Sequence, residues 1–160
     1  MSPMEDIIAG KKVFVYKETN NDLPKYSTPY SAGMDLRANL DKDVILQSGE
    51  TKLIDTGICV RIPNGYKIQI TPRSGIALKH SVTVLNAPGI IDSDFKSKIG
   101  VILINHGKEP FTIKNGDRIA QMILTKYERI EWEEITDLSE FIDKFDLSSR
   151  DGGFGSTGIS

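Results

Sequence analysis

Val60-Arg-Ile-Pro-Asn-Gly-Tyr-Lys-Ile-Gln-Ile70 decides the fold class. On both sides of Asn64-Gly65 apolar and polar residues alternate, and a period of two is the pattern of a strand with one face buried. Asn-Gly between two such runs is a strong short-range signal for a turn between strands. The same grammar recurs where Asn115-Gly116 separates Phe111-Thr-Ile113 from Ile119-Ala-Gln-Met-Ile-Leu124. Both dipeptides therefore mark turns between adjacent strands of a mostly antiparallel fold. Working outward, Lys12-Val-Phe-Val-Tyr16, Val44-Ile-Leu46, Val82-Thr-Val-Leu85 and Ile99-Gly-Val-Ile-Leu-Ile104 are further short apolar runs bounded by turn residues. Their spacing of about eight to twelve residues suits an all-β sandwich or distorted jelly roll rather than alternating βα units. Helix is scarce. Ile76-Ala-Leu-Lys79 can make one turn, and Asp137 to Phe145 carries apolar residues at 138, 141, 142 and 145, a short amphipathic pattern.

A chain of 160 residues is long enough for one domain that buries about two thirds of the surface its unfolded form exposes. We read a single domain over 1–160, with a β core over 24–142, a linker over 143–151 and a C-terminal lid over 152–160. The net charge of −2 and a sequence pI near 5.7 argue against a nucleic-acid-binding surface, so any anion is held by a few local groups. Cys59 is the only cysteine and has no intramolecular partner for a disulfide. The first residues lack a basic segment followed by an apolar core, and nowhere do eighteen apolar residues run together, which removes a membrane span. The expectation is an intracellular protein, cytoplasmic, or nuclear if the source is eukaryotic.

The last residues, Arg150-Asp-Gly-Gly-Phe-Gly-Ser-Thr-Gly-Ile-Ser160, combine glycines, two hydroxyls and one ring. Glycines let backbone N–H groups converge on an anion, Ser156 and Thr157 add donors, and Phe154 offers a flat face. The stretch reads either as a lid over a phosphate-bearing base or as a frayed terminus. Thr71-Pro-Arg-Ser-Gly-Ile-Ala77 offers Arg73, Ser74 and the Gly75 N–H at a short helix start, either a phosphate cradle or a turn with a surface arginine. Asn86-Ala-Pro-Gly-Ile-Ile-Asp-Ser-Asp-Phe95 would place Asp92 and Asp94 on one face of an extended strand and Phe95 on the other. One aspartate there can activate water or hold a hard cation, or the stretch is an ordinary acidic turn. Asp35 and Arg37 share a strand face and can pair with each other. Gln121 is an unexpected polar group within an apolar strand and needs partners. His80 and His106 stand alone, without a zinc-ligand spacing, and neither a nucleophile elbow nor a P-loop is present.

Ala32-Gly-Met-Asp-Leu36, Pro72-Arg-Ser-Gly-Ile-Ala77, Gly89-Ile-Ile-Asp-Ser-Asp-Phe95, Gly116-Asp-Arg-Ile-Ala-Gln121 and Gly152-Gly-Phe-Gly-Ser-Thr-Gly158 occur in one order. The series resembles the five motifs of the trimeric dUTPase family, in its order and near its spacing, from about residue 24 to the end. The resemblance implies a distorted β jelly roll and a homotrimer with three active sites at subunit interfaces. The implied reaction is Mg²⁺-dependent hydrolysis of dUTP to dUMP and pyrophosphate, which keeps uracil out of DNA and supplies dUMP for dTMP synthesis.

Carried onto this sequence, the resemblance makes Asp92 the base for water attacking the α-phosphorus, with Mg²⁺ held by the triphosphate and water rather than by protein ligands. Asn86, Gly89 and Ile90 would read the uracil edge, and Phe95 would lie under the deoxyribose. Arg73, Ser74, Gly75 and Gln121 would hold phosphate oxygens. From another subunit Phe154 would stack on uracil while Gly155, Ser156, Thr157 and Arg150 close on the outer phosphates, and Asp35 would be a supporting residue. Three positions depart from the family pattern. Phe95 replaces a tyrosine, Ser97 replaces a turn glycine, and Arg150 stands one residue nearer the ring than usual. A deaminase of the same broader family needs a glutamate and further arginines after the Arg-Ser pair, and Arg73-Ser-Gly-Ile-Ala-Leu-Lys79 supplies neither. A non-catalytic regulatory trimer would have signalled itself by loss of Asp92, which is present.

Overall fold

The computed structural model describes residues 10–144. The chain divides into two units, Met1–Glu128 and Arg129–Ser160. Within the described residues the first unit holds eleven strands and one helix: β1 (Phe14–Lys17), β2 (Met34–Arg37), β3 (Val44–Leu46), β4 (Thr51–Asp55), β5 (Ile58–Arg61), β6 (Tyr66–Thr71), α1 (Ser74–His80), β7 (Val82–Val84), β8 (Gly89–Ile91), β9 (Gly100–Asn105), β10 (Phe111–Ile113) and β11 (Arg118–Lys126). The second unit holds α2 (Leu138–Lys144), whose first turn is capped by Asp137: its Oδ1 accepts the Ser139 N–H at 2.8 Å.

In the first unit β2-β11-β6-β8 form one sheet and β4-β9-β7 another, while β1 pairs with β5 and β10 with β3. All these pairings are antiparallel. Alternation along the strands sends one face inward, as on β9, where Val101, Leu103 and Asn105 are buried and the residues between them are not. Leu36, Ile68, Ile70 and Met122 from the first sheet and Ile54, Val82, Val84, Val101 and Leu103 from the second form a single core. The result is the jelly-roll-like β sandwich expected from the run spacing. The buried Asn105 is fully employed: its amide donates to the Leu46 and Glu109 carbonyls at 2.9 and 2.8 Å and its oxygen accepts the Gly107 N–H at 2.8 Å.

The two Asn-Gly turns form, but they do not close hairpins. β5 pairs with β1 and β6 with β8 and β11; β10 pairs with β3 and β11 with β2 and β6. Turn geometry explains why the flanking strands do not pair. Tyr66 N–H reaches the Pro63 carbonyl at 3.2 Å and Asp117 N–H the Lys114 carbonyl at 3.0 Å. Gly65 and Gly116, third in each turn, have φ of 86° and 85°, whereas Asn64 and Asn115 are not among the positive-φ residues. Positive φ at the third position alone defines a type II turn, which splays its flanking strands, while a type I′ hairpin turn needs it at both. The turns therefore pass the chain from one sheet to another.

A charged tie closes one corner. Lys98 Nζ lies 3.3 Å from Glu18 and 3.6 Å from Asp55, which also accepts the Gly57 N–H at 3.0 Å and the Asn39 amide at 3.1 Å.

Candidate active site

β2, β11 and β6 lie side by side with Asp35 opposite Gln121 and Gln121 opposite Thr71, so the three side chains share the face turned away from the core. Gln121 uses this place to hold the chain beyond β6: its Nε2 donates to the Pro72 carbonyl at 3.1 Å. The polar group anomalous in the sequence thus fixes the exit from β6. Arg73 follows as the N-cap of α1 with extended backbone, and Ser74 and Gly75 open the helix, both exposed. Their N–H groups precede the first intrahelical acceptor pairing and are free to face a ligand.

Arg73 is held from two sides. Its Nε donates to Asp35 Oδ1 at 2.9 Å and its Nη1 to the Arg118 carbonyl at 3.3 Å. Two of the five guanidinium N–H groups are thereby used and three remain. Arg118 Nη1 lies 3.6 Å from Asp35 Oδ2, so one carboxylate serves two arginines. The expected pairing of Asp35 with Arg37 does not form; Arg37 donates to the Gly116 carbonyl at 2.8 Å instead, at the tip of the second Asn-Gly turn. A cleft of about 110 Å³ opens beside this group, with Lys25, Arg37 and Arg118 as well as the carboxylates of Asp22 and Asp35 among its walls.

β8 pairs with β6 so that Gly89 faces Ile70 and Ile90 faces Gln69. A Cβ on Gly89 would lie 3.2 Å from Ile70 Cβ and 3.3 Å from Asn86 Nδ2, so the bare glycine backbone is what lets the Asn86 amide settle over the strand. β8 ends at Ile91, and Asp92 to Phe95 form a turn closed by Phe95 N–H on the Asp92 carbonyl at 3.1 Å. Asp92 and Asp94 are consequently not spaced along a strand face, contrary to the sequence expectation; both are exposed in the turn. Phe95 packs against the core and its carbonyl accepts Arg61 Nη1 at 3.2 Å, which makes its ring a fixed wall. Ser97 is not among the positive-φ residues, so replacing the family's glycine there stores no backbone strain.

The family model for dUTPase matches residues 19–158. The chain belongs to the dUTPase family. Among curated relatives of the family, the deoxyuridine 5′-triphosphate nucleotidohydrolase of Rickettsia felis is 49% identical over 152 residues, covering 95% of this chain and 99% of its own. That of Finegoldia magna is 50% identical over 147 residues, covering 92% and 99%. Among solved structures, the Staphylococcus bacteriophage 80alpha dUTPase with dUPNHPP superposes with a TM-score of 0.78 at 22% identity, over 94% of this chain and 100% of that one. A mutant dUTPase from phage phi11 of S. aureus, described with a structural Mg(II) ion, gives 0.71 at 20% identity over 81% and 99%. At these identities the structural matches establish the shared fold.

Of the residues the family motifs single out, Arg73, Gln121 and Asp35 are linked through β2, β11 and β6, with Ser74 and Gly75 next in the chain. Asn86, Gly89, Ile90, Asp92 and Phe95 form a second group on and beyond β8. Among the described residues no hydrogen bond or ion pair joins the side chains of the two groups within one chain. Arg150, Phe154, Gly155, Ser156 and Thr157 lie outside the described residues. Arg118, which joins the Arg73–Gln121 group through Asp35, was not singled out from the sequence, although it stands inside the Gly116-Asp-Arg-Ile-Ala-Gln121 motif. No helix among the described residues is long and apolar enough to cross a membrane.

Proposed function

We propose that the chain hydrolyses dUTP to dUMP and pyrophosphate by attack of water on the α-phosphorus, inside the cell. Family membership and the names of relatives near half identity support hydrolysis of dUTP. The observation that carries the reading is Arg73, clamped by Asp35 and the Arg118 carbonyl with three N–H groups left, beside the exposed Ser74 and Gly75. This is a donor set for phosphate oxygens. It fits a divalent cation that arrives chelated by the triphosphate, Mg²⁺, which when bound neutralises phosphate charge.

Phosphoryl transfer asks a protein chiefly for positioning and electrostatic stabilisation. Asp92, a carboxylate exposed in the turn after β8, takes the proton of the attacking water. Asn86 over Gly89 reads the uracil edge through amide and backbone groups, and the tight packing there leaves no room for the methyl group of thymine. The wall formed by Phe95 excludes a 2′-hydroxyl by shape, without the hydroxyl that the usual tyrosine carries. A homotrimer brings the Asn86–Phe95 group of one subunit to the Arg73–Gln121 group of another. Phe154, Gly155, Ser156, Thr157 and Arg150 close the site from a further subunit.

Asp92→Asn tests the base directly. The expected outcome is nucleotide affinity within about three-fold of the parent and turnover lower by about two to four orders of magnitude. Retention of most of the turnover would remove Asp92 from that role.

A further inference from the structure

β11 leaves regular pairing at one point, and that point decides where Arg118 goes. Ala120 faces Leu36 and Arg118 faces Arg37, so Ile119 is an extra residue on β11 with no counterpart on β2. In an uninterrupted ladder Arg118 would face Ala38, which is 0% exposed, and its guanidinium would enter the apolar core. The bulge reverses this. Ile119 and Ala120 are both buried, at 2% and 0%, and Arg118 emerges on the face that carries Asp35 and Gln121.

There it acts on Arg73 twice. An unopposed carboxylate tends to take both oxygens of its pairing to one guanidinium in a two-pronged contact. Here Asp35 Oδ2 lies 3.6 Å from Arg118 Nη1, leaving Oδ1 for the Nε–H of Arg73 at 2.9 Å. The Arg118 carbonyl, set by the bulge, accepts Arg73 Nη1 at 3.3 Å. We propose that Arg118 is a positioning residue for Arg73: by occupying Oδ2 it prevents a two-pronged pairing and keeps the outer N–H groups of Arg73 turned toward nucleotide phosphate. This inference rests on the nucleotide reading above.

The test is a double-mutant cycle on the full chain, with calorimetric affinity for the α,β-imido analogue of dUTP in Mg²⁺. Arg118→Ala should weaken binding about ten-fold in the parent. In an Arg73→Ala background the same change should cost less than about two-fold, because the residue it acts through is gone. Arg118→Lys keeps a cation near Oδ2 and should restore affinity to within about three-fold of the parent. Equal losses in both backgrounds, no loss in the parent, or no rescue by lysine would each overturn the proposal. If the parent chain itself does not bind the analogue, the nucleotide reading fails and the inference with it; binding by the parent with additive losses rejects the role of Arg118 alone.

Discussion

The side-chain amide of Asn86 rests over Gly89 so closely that a Cβ there would lie 3.3 Å from Nδ2 and 3.2 Å from Ile70 Cβ. Ile70 is core-anchored and cannot retreat, whereas Asn86 is exposed and can. Gly89→Ala should therefore displace Asn86. The expected result is a destabilisation of about 1–3 kcal/mol from overpacking, read by thermal melting, together with a raised KM for dUTP. An unchanged KM would separate Asn86 from base recognition.

Asp35 holds its place through charge. Arg73 and Asp35 side chains are 25% and 24% exposed, so their pairing is screened less than a surface ion pair. Asp35→Asn keeps the shape, but removes the charge and places N–H donors toward a guanidinium. Stability should fall by about 1.5 kcal/mol and kcat/KM by about ten-fold, with the larger part in KM. A variant indistinguishable from the parent in kinetics would show that Asp35 serves folding alone.

Alternation and turn chemistry made the strands readable, because burial of one sheet face imposes period two wherever it occurs; Val44–Leu46 and the run through Ile70 coincide with strands to within a residue. Pairing was less readable. An Asn-Gly dipeptide permits both a hairpin turn and a type II turn, and the tertiary path chooses between them, as at Asn64-Gly65 and Asn115-Gly116. The partners of Asp35 were hidden for the same reason, since Arg73 lies 38 residues away and meets it only through β11. Arg118 did leave a trace: Arg118-Ile-Ala-Gln121 sets two apolar residues between two polar ones, a break in alternation that marks the bulge.

The Lys98 tie makes stability depend on pH at both ends. Burial by itself pushes the Asp55 carboxyl up, but the Gly57 N–H, the Asn39 amide and the Lys98 ammonium outweigh it and hold it below its ordinary value of 3.8. A lowered folded value means that the unfolded chain takes up the proton first as pH falls. The contribution of Asp55 is thus complete above about 3.8 and lost as pH drops through the lower folded value. Hydrogen bonding to Glu18, with the charges of Asp55 and Glu18, raises Lys98 above 10.5, so its contribution is complete below that pH and lost as pH rises through the folded value. Melting of the parent and Asp55→Asn should differ at neutral pH, and the gap should close as pH falls below 3.8 and through the lowered folded value of Asp55. A constant gap across that range would exclude the carboxylate charge as its source.

The most direct measurement is release of pyrophosphate and nucleoside monophosphate from dUTP with Mg²⁺, beside dCTP, dTTP and UTP under the same conditions. Rapid release from dUTP with the other three slower by at least about a hundred-fold is the predicted result, and it would show that the site discriminates by both base and sugar. Comparable release from UTP would contradict the steric role of Phe95. No release from dUTP, with the nucleotide still bound, would contradict the proposed hydrolysis itself.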